Sequence, residues 1–81
     1  MYAIELAAEF HNQAATLHPK RYKQLYVRIF ALQRNPRPPH SEMLESHIFL
    51  VRVGPYRATY EIDDTRRRVR VFLLEETEEQ E

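Results

Sequence analysis

The stretch VRVGPYRATYEIDD, residues 51–64, decides the fold of this chain. Gly54 is the only glycine in the sequence, and Pro55 follows it directly. A two-residue hairpin loop needs a positive φ, which glycine adopts easily, and proline suits the next position of a type II′ turn. Residues on both sides of this pair alternate between apolar and polar, as strands of a half-buried sheet do. The stretch therefore predicts a β-hairpin with Gly54-Pro55 as its loop.

The position of the loop fixes the register of this hairpin, because residues equally distant from the loop face each other. Arg52 is then directly opposite Arg57. The apolar face, which we expect to lie under helices, holds Val53, Val51, Phe49, Tyr56, Ala58 and Tyr60. The opposite face is polar and is expected to be open.

A second hairpin is predicted to follow, with residues 63–66 as its turn. In this register Glu61 faces Arg68, which favours an ion pair between them. The core face gains Val69, Val71 and Leu73. The open face of the three strands then holds Arg52, Arg57, Thr59, Glu61, Arg68, Arg70 and Phe72.

The N-terminal half predicts one strand and two helices. Residues 2–6 alternate as a short strand, whereas residues 7–17 and 19–33 carry apolar residues at helical spacing. The order β-α-α-β-β-β predicts an α+β domain over residues 1–76, in which the first strand and a helical hairpin pack on an antiparallel sheet. Residues 77–81 are expected to form an acidic, disordered tail.

Composition narrows the classes of function. The 81 residues suffice for one domain, and the absence of cysteine excludes disulfides and thiolate chemistry. There is no apolar run of about 18 residues and no pattern of a signal peptide, so we expect a cytoplasmic protein without a membrane partner. Five of the twelve acidic residues lie in the last seven positions, so residues 1–74 carry a net charge of +5. A basic body favours phosphate or an acidic partner.

The arginines of the open face predict a surface that binds phosphate. Like charges directly opposite each other, such as Arg52 and Arg57, are unfavourable without an anion between them. The forked donors of a guanidinium fit phosphate oxygens, and Phe72 adds a surface on which a base stacks. A solvated polar face with an Arg68–Glu61 ion pair is the alternative. The residues predicted to contact nucleic acid are Arg52, Arg57, Arg68, Arg70, Thr59 and, from the proline-rich loop 34–40, Arg37.

Residues 51–64 resemble the signature hairpin of the RelE/ParE superfamily of bacterial toxins, in which a stretch R-V-G-x-Y-R-x-x-Y-x-I is typical. ALQRNPRPP, residues 31–39, resembles the end of the second helix of this family and the loop after it. The order of elements is also similar, and the resemblance extends to about Leu74. It implies the RelE/ParE toxin fold, a role as the toxin of a type II toxin–antitoxin system, and a cognate antitoxin protein as partner.

The resemblance leaves three activities open. RelE-like toxins cleave mRNA on the ribosome without metal and so inhibit translation, whereas ParE-like toxins inhibit DNA gyrase without being nucleases. A degenerate toxin would act only by binding its antitoxin or another partner. The motif arginines and the basic body favour the RelE-like activity, that of a metal-independent mRNA endoribonuclease (an mRNA interferase). No cofactor is expected, and whether the chain is an enzyme stays open.

The resemblance also implies roles for individual residues. Arg57 stands at the position of the motif arginine that contacts the scissile phosphate, and Arg52 matches an assisting basic residue. Leu50 stands where a second assisting basic residue is typical. The late arginine of the RelE-like branch, and the tyrosine or histidine beyond it, have no counterpart in residues 75–81.

Proton transfer therefore has no donor assigned by resemblance. Glu61 lies on the predicted open face and is the candidate base, so the predicted catalytic residues are Arg57, Arg52 and Glu61. His40 and His47 are further candidates, because histidine titrates near neutral pH, although a histidine in a loop is more often a surface residue. The spacing of the histidines predicts no metal site.

Overall fold

Five strands form one mixed sheet with two helices on one face in the computed structural model, which describes residues 1–77. The elements are β1 (Ala3–Leu6), α1 (Ala8–Ala14), α2 (Pro19–Phe30), a 3₁₀ turn (Ala31–Gln33), β2 (Glu42–Glu45), β3 (Ile48–Val53), β4 (Tyr56–Asp63) and β5 (Arg68–Glu76). The strand order is β1-β5-β4-β3-β2. Strand β1 runs parallel to β5, and the other neighbours are antiparallel. The predicted α+β fold is confirmed.

Strand β2 is the one element within residues 1–77 that the sequence did not predict. Its residues EMLE are all exposed, and they pair with β3 through a bulge between Met43 and Glu45. The sequence of β2 lacks the alternation of a half-buried strand, because neither of its faces lies in the core. Met43 and Leu44 are exposed at this edge of the sheet.

The hairpin β3–β4 has the predicted register. Gly54 has a φ of 60°, and the pairs run outward from Val53 opposite Tyr56. Arg52 is opposite Arg57, as predicted. The loop alone was sufficient to place every residue pair of this hairpin.

The hairpin β4–β5 differs from the predicted register by two residues. Its turn is residues 64–67, one residue later than predicted, and Arg67 has a φ of 55°. Arg70 therefore lies opposite Glu61, and the predicted pairing of Glu61 with Arg68 was wrong. Because a shift of two preserves the alternation of faces, both arginines remain on the open face.

A bulge in β5 changes the faces near the end of this strand. Tyr60 is opposite Val71, whereas its neighbour Thr59 is opposite Leu73. Leu74 therefore enters the core, and the prediction that Leu73 lies there was wrong. An inserted residue of this kind reverses the alternation after it.

The core lies between the helices and the sheet. Each helix is shorter than predicted, since α1 ends at Ala14 and α2 passes at Phe30 into the 3₁₀ turn. Their buried residues recur at helical spacing, as a helix packed on one face requires. The fully buried side chains of the core are Tyr60, Phe10, Leu25, Ile29, Leu32, Ile62, Val51, Val69 and Val71.

Tyr60 joins the core to the proline-rich loop. Its side chain is fully buried, and its hydroxyl donates a hydrogen bond of 2.8 Å to the backbone oxygen of Pro36. Burial raises the pKa of Tyr60, so the hydroxyl keeps its proton and stays a donor. The loop is therefore held on the sheet by a buried bond in addition to apolar packing.

The substitution Tyr60→Phe tests this bond. It leaves the Pro36 oxygen without its donor while retaining the ring, so we expect a loss of about 1–2 kcal/mol in the free energy of unfolding. Urea denaturation measures the change, with Tyr56→Phe as a control on the same strand. An equal effect of both substitutions would show that the bond to Pro36 adds nothing.

Candidate nucleic-acid interface

The open face of the sheet is divided into three parts. The hairpin cluster, next to the Gly54-Pro55 loop, consists of Arg52, Arg57, Glu42 and Glu75. The central band consists of Leu50, Thr59 and Leu73. The turn cluster, at the other end of the sheet, consists of Glu5, Glu61, Asp63, Arg68 and Arg70. The register of the strands sets this division.

Each arginine of the hairpin cluster has a carboxylate beside it. Arg57 Nη2 lies 3.3 Å from Glu75 Oε1, and Arg52 Nη2 lies 3.6 Å from Glu42 Oε2. Glu75 is directly opposite Arg57 on β5. The sequence reasoning missed both glutamates as members of this cluster, because β2 was not predicted and the register of β5 was displaced. The repulsion between Arg52 and Arg57 is thus relieved by neighbouring strands.

The central band separates the two charged clusters. Leu50 and Thr59 are buried, with 7% and 5% of their surface exposed, although they lie on the open face. Leu73 continues the band on β5 as the partner of Thr59. Thr59 was predicted to offer its hydroxyl to a ligand, and the structure places it between these apolar neighbours instead. Leu50, which stands where a basic residue is typical, packs here.

The turn cluster holds the remaining predicted arginines together with acidic partners. Arg68 lies 3.7 Å from Glu5 on β1, and Arg70 lies opposite Glu61. Glu61 lies four positions along β4 from Arg57, which corresponds to about 13 Å at 3.3 Å per residue. The four predicted arginines therefore share one face but do not converge on one point.

Phe72 and Arg70 contact each other on β5. The Arg70 guanidinium lies 5.8 Å from the centre of the Phe72 ring, within the range of a cation–π contact. Phe72 is half-buried and occupies the position of the bulge in β5. The ring predicted to stack on a base is thus partly covered by an arginine.

Arg37, predicted to contact nucleic acid, is engaged within the chain. Its Nη2 lies 2.9 Å from Asp64 Oδ2 and its Nη1 lies 3.3 Å from Asp64 Oδ1, while its guanidinium lies 5.4 Å from the centre of the Phe49 ring. The Tyr2 hydroxyl donates to the same carboxylate. These hydrogen bonds lower the pKa of Asp64 to about 2. Arg37 therefore links the proline-rich loop to the β4–β5 turn, and Tyr2, the residue before β1, binds the same carboxylate.

The histidines lie away from the hairpin cluster. His47 lines a cavity of about 450 Å³ with Glu61 and Arg70, at the turn cluster. His40 lines a different cavity with Arg28 from α2. His18, the N-cap residue of α2, accepts a hydrogen bond at Nδ1 from the backbone nitrogen of Lys20.

The outer side of α2 presents an apolar strip that consists of Tyr22, Tyr26, Val27 and Phe30. The rings of Tyr22 and Tyr26 stack with centres 4.5 Å apart, and Phe30 follows at 5.9 Å. Burial raises the pKa of Tyr26 to about 12. Val27 and Phe30 are 62% and 41% exposed. Helix α2 carries four basic residues and no acidic one, so the strip has a basic border.

Comparison with solved structures identifies the fold as that of RelE toxins. The isolated Escherichia coli RelE toxin superposes with a TM-score of 0.87 at 17% identity, over 100% of this chain and 89% of that chain. A chain of the toxin–antitoxin complex RelBE2 from Mycobacterium tuberculosis gives 0.81 at 23% identity, over 93% and 96%. A chain of the archaeal RelE–RelB complex from Pyrococcus horikoshii gives 0.84 at 14% identity, over 98% of both.

No family model and no curated protein matches the sequence. The fold implied by the resemblance of residues 51–64 is thus confirmed by structure. No helix within residues 1–77 is long and apolar enough to cross a membrane.

The link between Arg37 and Asp64 predicts a specific dependence of stability on pH. Because the folded chain lowers the pKa of Asp64 to about 2, from an ordinary 3.8, this stabilisation is present above about pH 4 and is lost as the pH falls through 2. Asp64→Asn should therefore lower the melting temperature at neutral pH and flatten its decline between pH 4 and 2. Melting curves measured by circular dichroism test this, with Glu9→Gln on α1 as the control. A decline as steep as that of the native chain would contradict the assignment.

Proposed function

We propose that this chain is the toxin of a type II toxin–antitoxin pair and that it cleaves mRNA on the ribosome. The observation that carries the proposal is the position of Arg57, opposite Arg52 on the open face of a RelE-type sheet. Arg57 also stands at the motif position from which the RelE-like branch contacts the scissile phosphate. The hairpin cluster is therefore the proposed reaction site.

The proposed reaction is attack of a ribose 2′-oxygen on the adjacent phosphorus. The 2′-hydroxyl loses its proton, the new P–O bond forms, and the bond to the leaving 5′-oxygen breaks as that oxygen gains a proton. Arg57 and Arg52 would stabilise the negative charge that develops on the phosphate oxygens. Glu61, the predicted base, lies about 13 Å along β4 from Arg57, which is too far to act on the same phosphate.

The proposed reaction depends on the ribosome to place the mRNA at the hairpin cluster. General acid–base catalysis contributes typically 10²–10⁴-fold, and the hairpin cluster holds carboxylates but no histidine or tyrosine. A reaction that depends on charge stabilisation gains most from exact placement of the substrate. We therefore expect cleavage of mRNA held by the ribosome, and little cleavage of free RNA.

A toxin that acts only by binding is the second candidate. It is favoured by the ion pairs of Arg52 and Arg57, which reduce the charge available to a phosphate. Inhibition of DNA gyrase in the ParE-like manner, or action through the antitoxin alone, requires no proton donor. The two candidates differ in whether the native chain cuts mRNA.

The proposed antitoxin surface is the outer side of α2. The structures similar to this chain include toxin–antitoxin complexes from M. tuberculosis, P. horikoshii and E. coli. In this chain Val27 and Phe30 expose apolar surface, and the basic residues around them fit an acidic, amphipathic segment of an antitoxin. A cytoplasmic location follows from the same proposal.

Cleavage of mRNA on programmed ribosomes tests the proposed reaction. The native chain should cut, and Arg57→Ala should reduce the rate at least about 100-fold, because it removes a donor to the developing charge. Arg66→Ala is the matched control, since Arg66 is an exposed arginine of the β4–β5 turn. Absence of cleavage by a folded native chain that binds its antitoxin would favour the binding-only toxin.

Binding to the cognate antitoxin tests the proposed antitoxin surface. Val27→Asp places a charge in the apolar strip and should weaken binding at least about tenfold. Asn12→Asp adds the same charge at an exposed position of α1 and should leave binding unchanged. Titration calorimetry measures both. Equal affinities would place the antitoxin elsewhere on the chain.

A further inference from the structure

We infer that Glu75 closes the proposed phosphate site, because its carboxylate pairs with the Arg57 guanidinium at the position where a phosphate would bind. Nucleic acid would then bind by displacing Glu75 from Arg57. The inference deepens the proposed function and rests on it for the identity of the anion. It assigns to Glu75 a regulatory contact within the hairpin cluster.

The first support is the order of charges across the sheet. Arg52, Arg57 and Glu75 lie side by side on β3, β4 and β5, as directly paired residues. Glu42 on β2 approaches Arg52 from the other side. Two adjacent positive charges are thus bounded by one carboxylate on each side. An anion that binds between the arginines competes with these carboxylates for the same donors.

The second support is that Glu75 leaves hydrogen-bond donors of the Arg57 guanidinium without a good acceptor. Glu75 Oε1 lies 3.3 Å from Nη2, longer than the 2.7–2.9 Å that is usual for a strong charge-assisted hydrogen bond. Arg57 Nε is buried and has no hydrogen-bond partner among residues 1–77. A buried donor without a partner is unfavourable. A phosphate offers more oxygens than a carboxylate and would serve the guanidinium better.

The third support is the exposure of this ion pair. The side chains of Arg57 and Glu75 are 34% and 47% exposed, on the face that no helix covers within residues 1–77. Solvent and salt weaken an exposed ion pair, and this one consists of a single contact of 3.3 Å. The contact is therefore displaceable. The link of Arg37 with Asp64 is equally exposed but has two hydrogen bonds and a third group on the same carboxylate.

Glu75→Gln opens the site while keeping the shape of the side chain, and Glu76→Gln is a closely matched control. Glu76 is the next residue of β5, is also exposed, and lies opposite Tyr56 on the face of the sheet that carries the helices. Both substitutions change the net charge by +1. Only Glu75→Gln removes a competitor of the anion.

The test is binding of a fluorescently labelled single-stranded RNA hexamer at low salt, measured by anisotropy. Glu75→Gln should bind about five- to tenfold more tightly than the native chain, and the difference should shrink at high salt. Glu76→Gln should stay within about twofold of the native affinity, because only its distant charge acts. Adding Arg57→Ala to Glu75→Gln should abolish the gain. Equal gains for both glutamine variants, or no gain for either, would overturn the inference.

Cleavage on programmed ribosomes separates this inference from the proposed function. If Glu75→Gln binds the hexamer more tightly and the native chain cuts no mRNA, the closed anion site is supported and the proposed nuclease activity is contradicted. Cleavage by the native chain, with no effect of Glu75→Gln on hexamer binding, supports the nuclease and contradicts the closed site. Loss of cleavage in Glu75→Gln at unchanged affinity would make Glu75 a proton acceptor and would also overturn the inference.

Discussion

The two-residue turn at Gly54-Pro55 is the constraint from which the rest of the sheet follows. Gly54 has a φ of 60°, and a Cβ at this position would lie 3.2 Å from Arg21 Nη1 on α2. A side chain is therefore disfavoured by the backbone conformation, whereas the flexible end of the Arg21 side chain can move aside. The turn sets the register of β3 and β4, which buries their apolar face under the helices and places Arg52 opposite Arg57.

A pair of opposed arginines creates an electrostatic problem that the neighbouring strands solve. Glu42 and Glu75 each approach one arginine, and the central band keeps this group apart from the charges at the turn cluster. The open face is consequently not a continuous positive surface, although residues 1–74 carry a net charge of +5. Net charge describes attraction at a distance, whereas the register determines which charges remain available at contact.

Sequence predicted those features that depend on local periodicity and on one defined turn. The β3–β4 pairs, the helices and the arginines of the open face belong to this group. The bulge in β5 was not predictable, because Phe72, Leu73 and Leu74 are all apolar and their alternation gives no signal. Glu75 was missed as a partner of Arg57 because its position depends on this bulge. Glu42 was missed as a partner of Arg52 because it lies on an exposed edge strand. The role of Arg37 depends on contacts between distant segments.

The charge near the end of β5 is where this chain departs from the RelE-like branch that its sequence resembles. The RelE-like branch has a late arginine after its last strand, which would add to the charge that binds the phosphate. This chain instead has Glu75 in β5, seated on Arg57. In the phosphate site that we propose, this carboxylate in place of a cation means that an anion must displace Glu75 before it binds Arg57. Because an exposed ion pair is weak, the proposed substrate, mRNA held by the ribosome, can displace it, whereas free RNA has to compete with it unaided.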